Sequence, residues 1–477
     1  MATKMVIDPV TRIEGHLKIE VTADLVNGTQ QVVDARATGT LFRGFETILR
    51  GRDPFDAPDI TARICGVCPT PHNQAAVSAL DAAMGLQVSD NARLLRNLVL
   101  AADFLHSHIL HFYQLAALDY MTAPGMAPWQ PGWTADIRLD AATSQTLLNH
   151  YVAALDIRRK AHEMGAVFGG RLPHTAAFIG GGFTGTPTAA QIQKFRAYAA
   201  EILPFIRDVY LADVTAVARA YDDYYQVGAG PKNLLAFGVF EEDPQGTTRL
   251  LRRGRKDAGS STIRAVDVKA ITEDVAASWY SDRSGLNPAS GTTTPSYPKT
   301  GGYSWLKAPR YGGKVYEVGP LARMTVNGDY IGGVSVMDRH AARAEEALKI
   351  AEALDGWLND LVPSGAVFSD GTMPESASGI GLSEAPRGAL GHWLAVANGR
   401  IARYQIVTPT CWNASPRDAR AVPGALEQAL VGTPVDDTAQ PIEVLRVIHS
   451  FDPCLSCAVH VMRPGRHAAV SVVSAGA

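Results

Sequence analysis

Sulfur is scarce in this chain: only five cysteines occur among 477 residues. That scarcity rules out a disulfide framework, which small secreted domains build from dense cysteine. Charge is scarce too. Asp, Glu, Lys and Arg make up 19% of the residues, below the ~25% of ordinary soluble domains. With a net charge of −3 there is no electrostatic footprint for nucleic acid or an anionic membrane surface. No stretch of ~18 or more uninterrupted apolar residues occurs, so no membrane span is predicted. The opening Met-Ala-Thr-Lys-Met-Val-Ile-Asp-Pro-Val lacks the apolar core of a secretory signal. Internal repeats and low-complexity segments are absent as well. Hydrophobic residues nevertheless reach 46%. So many apolar residues with so few charges imply a large core, a large permanent interface, or both.

The few cysteines are patterned. Cys65 and Cys68 lie in Arg-Ile-Cys-Gly-Val-Cys, Cys454 and Cys457 in Asp-Pro-Cys-Leu-Ser-Cys, and only Cys411 is left over. A separation of two residues lets both thiolates of a pair reach one soft metal ion. Two pairs joined by the fold would make a four-sulfur site. Structural zinc is one reading. Zinc ribbons, however, place their pairs ~15–20 residues apart and hold small domains that lack a core. Four thiolates also suit nickel, iron or copper, and spacing does not choose among them.

At ~100–200 residues per domain the length fits two to four units, or one large interwoven domain. Strands are predicted over Leu17–Leu25 and Gln31–Ala37, around Asn27-Gly28. Asp90 to about Met121 is apolar on most faces and reads as a long buried helix. A second helix is predicted from Ala142 to Met164. A third follows Pro187, with Thr188 as N-cap and a break at Pro204. Residues 220–300 read as a peripheral β-rich excursion, and Arg339 to Leu361 as a further helix. His392–Ala397 and Arg400–Val407 flank Asn398-Gly399, a strong hairpin signal. A hairpin returns its ends to one place, so Glu384–Gly388 should lie beside Thr408–Asn413.

Several segments, in order, carry a resemblance to a known family. They are Arg12-Ile-Glu14-Gly-His16, Phe42-Arg-Gly-Phe-Glu46, Arg63-Ile-Cys65-Gly-Val-Cys68 with His72, Ser383-Glu-Ala-Pro386-Arg387-Gly, and Asp452-Pro-Cys454-Leu-Ser-Cys457-Ala-Val-His460. Together they resemble the [NiFe]-hydrogenase large subunit along the whole chain. The resemblance implies an α+β, mainly α fold: a buried bundle of long helices with small peripheral sheets. It implies one interwoven domain over 1–460 and a maturation extension over 461–477, removed by a protease once nickel-insertion proteins have acted. The implied reaction is reversible heterolytic cleavage of H2 to protons and electrons, in the uptake direction.

By the same resemblance Cys65 and Cys454 are terminal nickel ligands, while Cys68 and Cys457 bridge nickel to an iron carrying two cyanides and CO. Cys454 is the first candidate to take the proton and Arg387, over the open position, the other; an always-protonated guanidinium is better suited to orienting H2, and the sequence leaves the two roles open. Glu14 would carry the proton onward. Thr410 and the backbone near Pro386 would donate to the cyanides. Asp452 would pair with Arg387, and His72 would bond a bridging sulfur. Val67 and Leu115 would narrow the gas path. Glu46, His460 and the carbonyl of Ile406 would hold Mg2+ or Fe2+. Without the resemblance, Glu14 reads as an ion-pair partner of Arg12, Arg387 as a surface salt bridge, and Val67 and Leu115 as core.

The chain has no cysteine to spare for iron–sulfur clusters. The resemblance therefore implies an iron–sulfur small subunit docked near Glu14, His16 and the first Cys pair. Periplasmic location by co-export with that subunit is favoured over the cytoplasm. A regulatory H2-sensing subunit is the alternative, disfavoured by the segment Val461–Ala477. A quinone-site relative from respiratory complex I would lack the paired cysteines. Two positions depart toward the selenium-containing subgroup: Ser107, where aspartate is frequent, and Cys411 after Thr410. Position 454 is nonetheless cysteine. Ser107 weakens the acidic surroundings of Arg387 and leaves Asp452 as its main partner.

Overall fold

The computed structural model describes residues 2–126, 129 and 132–455, so Cys457, His460 and the segment 461–477 lie outside the described residues. The chain opens on a three-stranded antiparallel meander, β1 (Thr3–Ile7), β2 (Leu17–Val26) and β3 (Thr29–Gly39). Leu17, Ile19, Val21 and Ala23 of β2 alternate inward. Asn27 and Gly28 form the predicted turn with φ of 52° and 85°, the left-handed geometry that matches strand twist in a tight hairpin. β1, too short to stand out in the sequence, forms along the edge of β2.

Helix α1 (Pro69–Met84) follows the first Cys pair, and α2 (Asp90–Leu110) comes next. Every residue from Asn91 to Leu110 is buried, and Ser89 caps the start by accepting from the Ala92 N–H. The helical path continues through a widened turn at His111–Ala116 and a tight one at Ala117–Asp119, close to the predicted end. Helix α3 (Ala141–Gly169) packs on α2. Helix α4 (Ala189–Pro204) begins at the predicted Thr188 cap, with Gln191 completing a capping box. Pro204 is its last residue. The chain then widens over Phe205–Tyr210 and resumes as α5 (Leu211–Ala220), because proline supplies no N–H to the ladder. The next region is β-rich as predicted, with strands at Leu234–Ala236, Val239–Glu241, Arg249–Leu251, Gly254–Lys256, Ile263–Arg264 and Ile271–Asp274. Helix α6 (Val336–Asp360) packs against α2 and α4 and closes the bundle.

A second sheet carries the site. Strands β4 (Ser376–Ala385), β5 (Gly388–Ala397) and β6 (Arg400–Val407) run antiparallel in that order. The Asn398-Gly399 hairpin is present, and it has a third strand that the sequence did not announce. Ala385 pairs with Gly388, so Pro386 and Arg387 are the two residues of the β4–β5 turn. Gly391 pairs with Val407, which brings the chain leaving β6 back beside that turn. Helix α7 (Ile442–Ser450) then leads into Asp452 and Cys454.

Helix α1 lies almost backbone to backbone on β4. A Cβ added at Gly379 or Gly381 would fall 1.9 or 1.8 Å from the carbonyl oxygens of Ala79 and Ala75. No rotamer change relieves a clash with backbone. Gly381→Ala is therefore expected to lower the melting temperature sharply. Gly356→Ala, on an open face of α6 with nothing within 4 Å, should raise stability by about 1 kcal/mol. Thermal melts of both variants check this; equal melting temperatures would contradict the packing described.

Candidate metal centre

The first Cys pair sits in the loop before α1, with Cys68 as the helix N-cap. The loop folds its own donors onto sulfur: the Val67 and Cys68 N–H groups donate to Cys65 Sγ at 3.3 and 3.2 Å. Such donation favours thiolate over thiol. Cys68 Sγ lies 3.1 Å from Cys65 Sγ, and Cys454 Sγ, from the other end of the chain, lies 3.4 Å from it. The three sulfurs fall within 4.8 Å of one another and all three residues are buried.

Cys454 is delivered by a backbone pairing. It forms a parallel bridge with Glu14, and the Leu455 N–H donates to the Glu14 carbonyl at 2.7 Å. The half-buried Glu14 carboxyl lies over the first cysteine loop, with Oε1 4.0 Å from where a Cβ on Gly66 would be. Arg12 does not hold Glu14. It pairs instead with Asp119 and donates to the Leu115 carbonyl at 2.7 Å. Asp119 also takes His449 Nδ1 at 2.5 Å, while His449 Nε2 donates to the Thr11 carbonyl at 3.0 Å. Burial disfavours charge on Asp119, yet Arg12 and His449 hold its pKa down to about 2. This clamp ties the N-terminal loop, the end of α2 and α7 together just before Cys454.

Arg387 is 2% exposed and Asp452 equally so, so the surface salt-bridge reading is excluded. Arg387 Nε donates to the Asp452 carbonyl at 3.0 Å, and Nη2 lies 3.0 Å from Oδ1. That ion pair is close but not aligned: Nη1 and Nη2 of Arg387 and both Asp452 oxygens lack a hydrogen-bond partner among the described residues. Burial opposes the charge on Arg387, but Asp452 and the sulfurs of Cys454, Cys68 and Cys65 outweigh it and raise its pKa. The turn carrying Arg387 is anchored by Arg323, which donates to the Pro386 and Ala385 carbonyls and pairs with Glu346 and Glu384, all wholly buried. Thr410 Oγ1 accepts from the Cys454 N–H at 3.0 Å, fixing the loop while leaving the hydroxyl proton for another acceptor.

His72 Nδ1 lies 3.1 Å from His392 Nε2, whose ring is held in turn by the Tyr404 hydroxyl at 2.8 Å. Burial pushes the His72 pKa down to about 4. Val67 is gripped from α2, where His106 Nε2 donates to its carbonyl at 2.9 Å. Leu115 is half-buried, and the contact seen there is its carbonyl with Arg12. Glu46 and Ile406 meet at a second place. The Ile406 N–H donates to Glu46 Oε1 at 2.8 Å, beside a cavity of about 60 Å³ lined also by Glu273, Lys307 and Cys411. The backbone group of Ile406 engaged with Glu46 is thus the amide, not the carbonyl.

A family described as nickel-dependent hydrogenase matches residues 43–137, 122–332 and 329–460. The chain belongs to the nickel-dependent hydrogenase family. A family described as HoxL-like matches residues 4–37. The chain is 43% identical over 494 residues to the periplasmic [NiFeSe] hydrogenase large subunit of Desulfomicrobium baculatum, spanning 96% of this chain and 95% of that protein. It is 32% identical over 570 residues to the hydrogenase-1 large chain of Escherichia coli K12, spanning 96% and 95%. The structure of H2-activated D. baculatum [NiFeSe]-hydrogenase superposes with a TM-score of 0.92 over 96% of this chain and 100% of that one. The resemblance to the selenium-containing subgroup agrees with the overall likeness to the [NiFeSe] protein of D. baculatum.

The donors present fit the centre of a nickel-dependent hydrogenase. Three soft thiolates converge in a buried pocket, a set that suits nickel better than a hard cation. The unaligned ends of Arg387 and Asp452 leave polar atoms for a group seated over the sulfurs. Sequence reasoning did not single out His106, His392, Tyr404, Asp103 or the Arg323–Glu346–Glu384 network. One signal was legible: Asp103, His106, His108 and His111 recur every few residues on an otherwise apolar helix, and polar groups buried at such spacing need a reason.

The clamp gives a pH signature. Asp119 is held below its ordinary 3.8, so its contribution is complete above that pH and is lost as pH falls through about 2. That contribution is on the order of 2 kcal/mol. Asp119→Asn should lower the melting temperature at pH 7 and flatten its fall between pH 4 and 2. A variant that melts like the wild type across that range would remove the clamp from the stability of the fold.

Proposed function

We propose that this hydrogenase large subunit oxidises H2 at a nickel–iron centre held by Cys65, Cys68, Cys454 and Cys457, with Cys454 as the first proton acceptor. The single observation that carries this reading is Cys454 Sγ seated 3.4 Å from Cys65 Sγ in a buried three-sulfur cluster. Nickel with an Fe(CN)2(CO) unit, when bound, supplies the open coordination position at which H2 is polarised and split. The protein supplies the rest. Arg387, fixed by its turn and by Asp452, faces the sulfurs as a permanent cation that orients and polarises; an always-protonated guanidinium is a poor base. The Cys454 thiolate takes the proton and Glu14 carries it outward. Support for that order is the Glu14–Cys454 bridge, which sets the two residues side by side.

Thr410, with its hydroxyl proton uncommitted, and the backbone after Pro386 are suited to donate to cyanides. His72, held by His392 and Tyr404, would bond a bridging sulfur and so set its electron density. Val67 and Leu115 would line the approach of gas. Glu46 and Ile406, with His460, would hold Mg2+ or Fe2+ beside Lys307 and Glu273.

Electrons must leave through another polypeptide, since five cysteines cannot serve both this centre and a cluster. We assign that role to an iron–sulfur small subunit docked at the Glu14–His16 and Cys65 loops, with both exported to the periplasm as the relative in D. baculatum is named. Residues 461–477 would be removed during maturation.

Metal analysis of the purified two-subunit complex tests the reading. About one nickel per chain with infrared bands of metal-bound CO and cyanide is the expected outcome; zinc alone would overturn it. Cys454→Ser should abolish H2 cleavage. Glu14→Gln should keep its metals yet slow H2 uptake about 10²-fold or more, in the range general acid–base groups contribute. Uptake at the wild-type rate would remove Glu14 from the path.

A further inference from the structure

Three buried side chains run in a row from the second sheet to the helix that follows the first Cys pair. Gly381 of β4 lies directly opposite His392 of β5, and residues so paired share a face of the sheet. That face is turned to α1, since a Cβ on Gly381 would meet the Ala75 carbonyl. His392 therefore projects toward α1 beside the space that the glycine leaves, and its Nε2 lies 3.1 Å from His72 Nδ1. On β6, Tyr404 sits opposite Leu394, diagonal to His392 and within reach of a long side chain. Its hydroxyl lies 2.8 Å from His392 Nδ1. His72, in turn, comes four residues after Cys68, on the same side of α1. None of the three is more than 1% exposed.

The row leaves its protons two directions to point. The Tyr404 hydroxyl has no partner but His392 among the described residues, and His72 Nε2 has none there at all. Were the protons to point toward Tyr404, its own O–H would be buried without an acceptor, the costly case of a bond left unmade. The hydroxyl therefore donates to His392 Nδ1. An imidazole that accepts at one nitrogen carries its proton on the other. His392 accordingly donates from Nε2 to His72 Nδ1, and His72 keeps its proton on Nε2. The opposite arrangement would leave a lone pair at His72 Nε2, which is how an imidazole ligates nickel, iron or zinc.

We propose that Tyr404 is a positioning residue of the hydrogenase centre: through His392 it fixes the tautomer in which His72 presents an N–H, and not a lone pair, at Nε2. This rests on the hydrogenase reading above, in which His72 bonds a bridging sulfur. Tyr404 touches neither metal nor H2. Its hydroxyl makes His72 a donor to sulfur and keeps the ring from becoming a further ligand. Donation to a thiolate draws electron density from the metals it bridges, so loss of the Tyr404 hydroxyl should leave a more electron-rich iron.

The test uses the complete two-subunit enzyme. Wild-type nickel content and infrared bands first establish the hydrogenase reading independently. Neutron diffraction from deuterated wild-type crystals then locates the protons, which ordinary X-ray maps do not show. Deuterons are expected on the Tyr404 oxygen, His392 Nε2 and His72 Nε2; a deuteron on Nδ1 of either histidine overturns the proposal. Tyr404→Phe should retain nickel, move the bands of metal-bound CO and cyanide to lower wavenumber and lower H2 turnover about 10-fold, as loss of an outer hydrogen bond to a metal site does. His72→Ala should shift the bands in the same sense, and adding Tyr404→Phe to it should shift them no further. Loaded Tyr404→Phe enzyme with wild-type bands overturns the proposal, as does a shift that adds in full to that of His72→Ala. Where a variant takes up no nickel, the deuteron positions alone decide.

Discussion

A single backbone pairing carries the site: the parallel bridge between Glu14 and Cys454, closed by the Leu455 N–H on the Glu14 carbonyl. Without it the two cysteine segments, 389 residues apart at their contacting sulfurs, would have no common location. A backbone hydrogen bond such as that of the Leu455 N–H has a small net worth in water. Its reliability comes from what surrounds it. Arg12, Asp119 and His449 lock the loop on one side to α7 on the other, inside the core, where breaking one partner strands the rest. Arg343 and Arg339 reach the carbonyl and hydroxyl of Ser450, so the chain entering Cys454 is held from α6 as well.

The same logic governs Arg387. A guanidinium in a two-residue turn would ordinarily be mobile. Here the turn is interior, and its carbonyls are taken by Arg323, itself neutralised by Glu346 and Glu384. Burial raises the Glu384 pKa to about 7, whereas Arg323 and His108 overcome burial at Glu346 and hold it down to about 2. Burial thus opposes charge on Glu384, whereas Glu346 keeps its charge beside Arg323. The network resembles a splint: charges buried with no surface role, their fields cancelling, whose yield is a fixed position for the turn.

Much of this was legible in the residues. Asn27-Gly28 and Asn398-Gly399 announced their hairpins, Thr188 its helix start, and the apolar run from Asp90 its burial, because each depends on local chemistry. The meeting of Cys65, Cys68 and Cys454 was legible from pattern and resemblance, not from any local rule. What escaped was long-range and satisfied by partners distant in sequence. Strand β4 was hidden by its glycines, which read as loop but are required by contact with α1. Arg12 was paired in expectation with its neighbour Glu14, yet it chose Asp119, 107 residues away. Asp103 was passed over because one acidic residue in an apolar helix has no meaning until its surroundings are known.

The contact of Gly379 and Gly381 with α1 has a consequence for how such a chain can change over time. Side-chain packing can drift, one methyl traded for another, while the distance between elements creeps. Two backbones pressed together with no side chain between them have no such freedom. The start of α1, which bears Cys68, is thereby tied at fixed separation to the strand that ends at the Arg387 turn. Sulfur and guanidinium keep their spacing as an inheritance of the main chain, and substitution elsewhere in the core can proceed without retuning the distance between them.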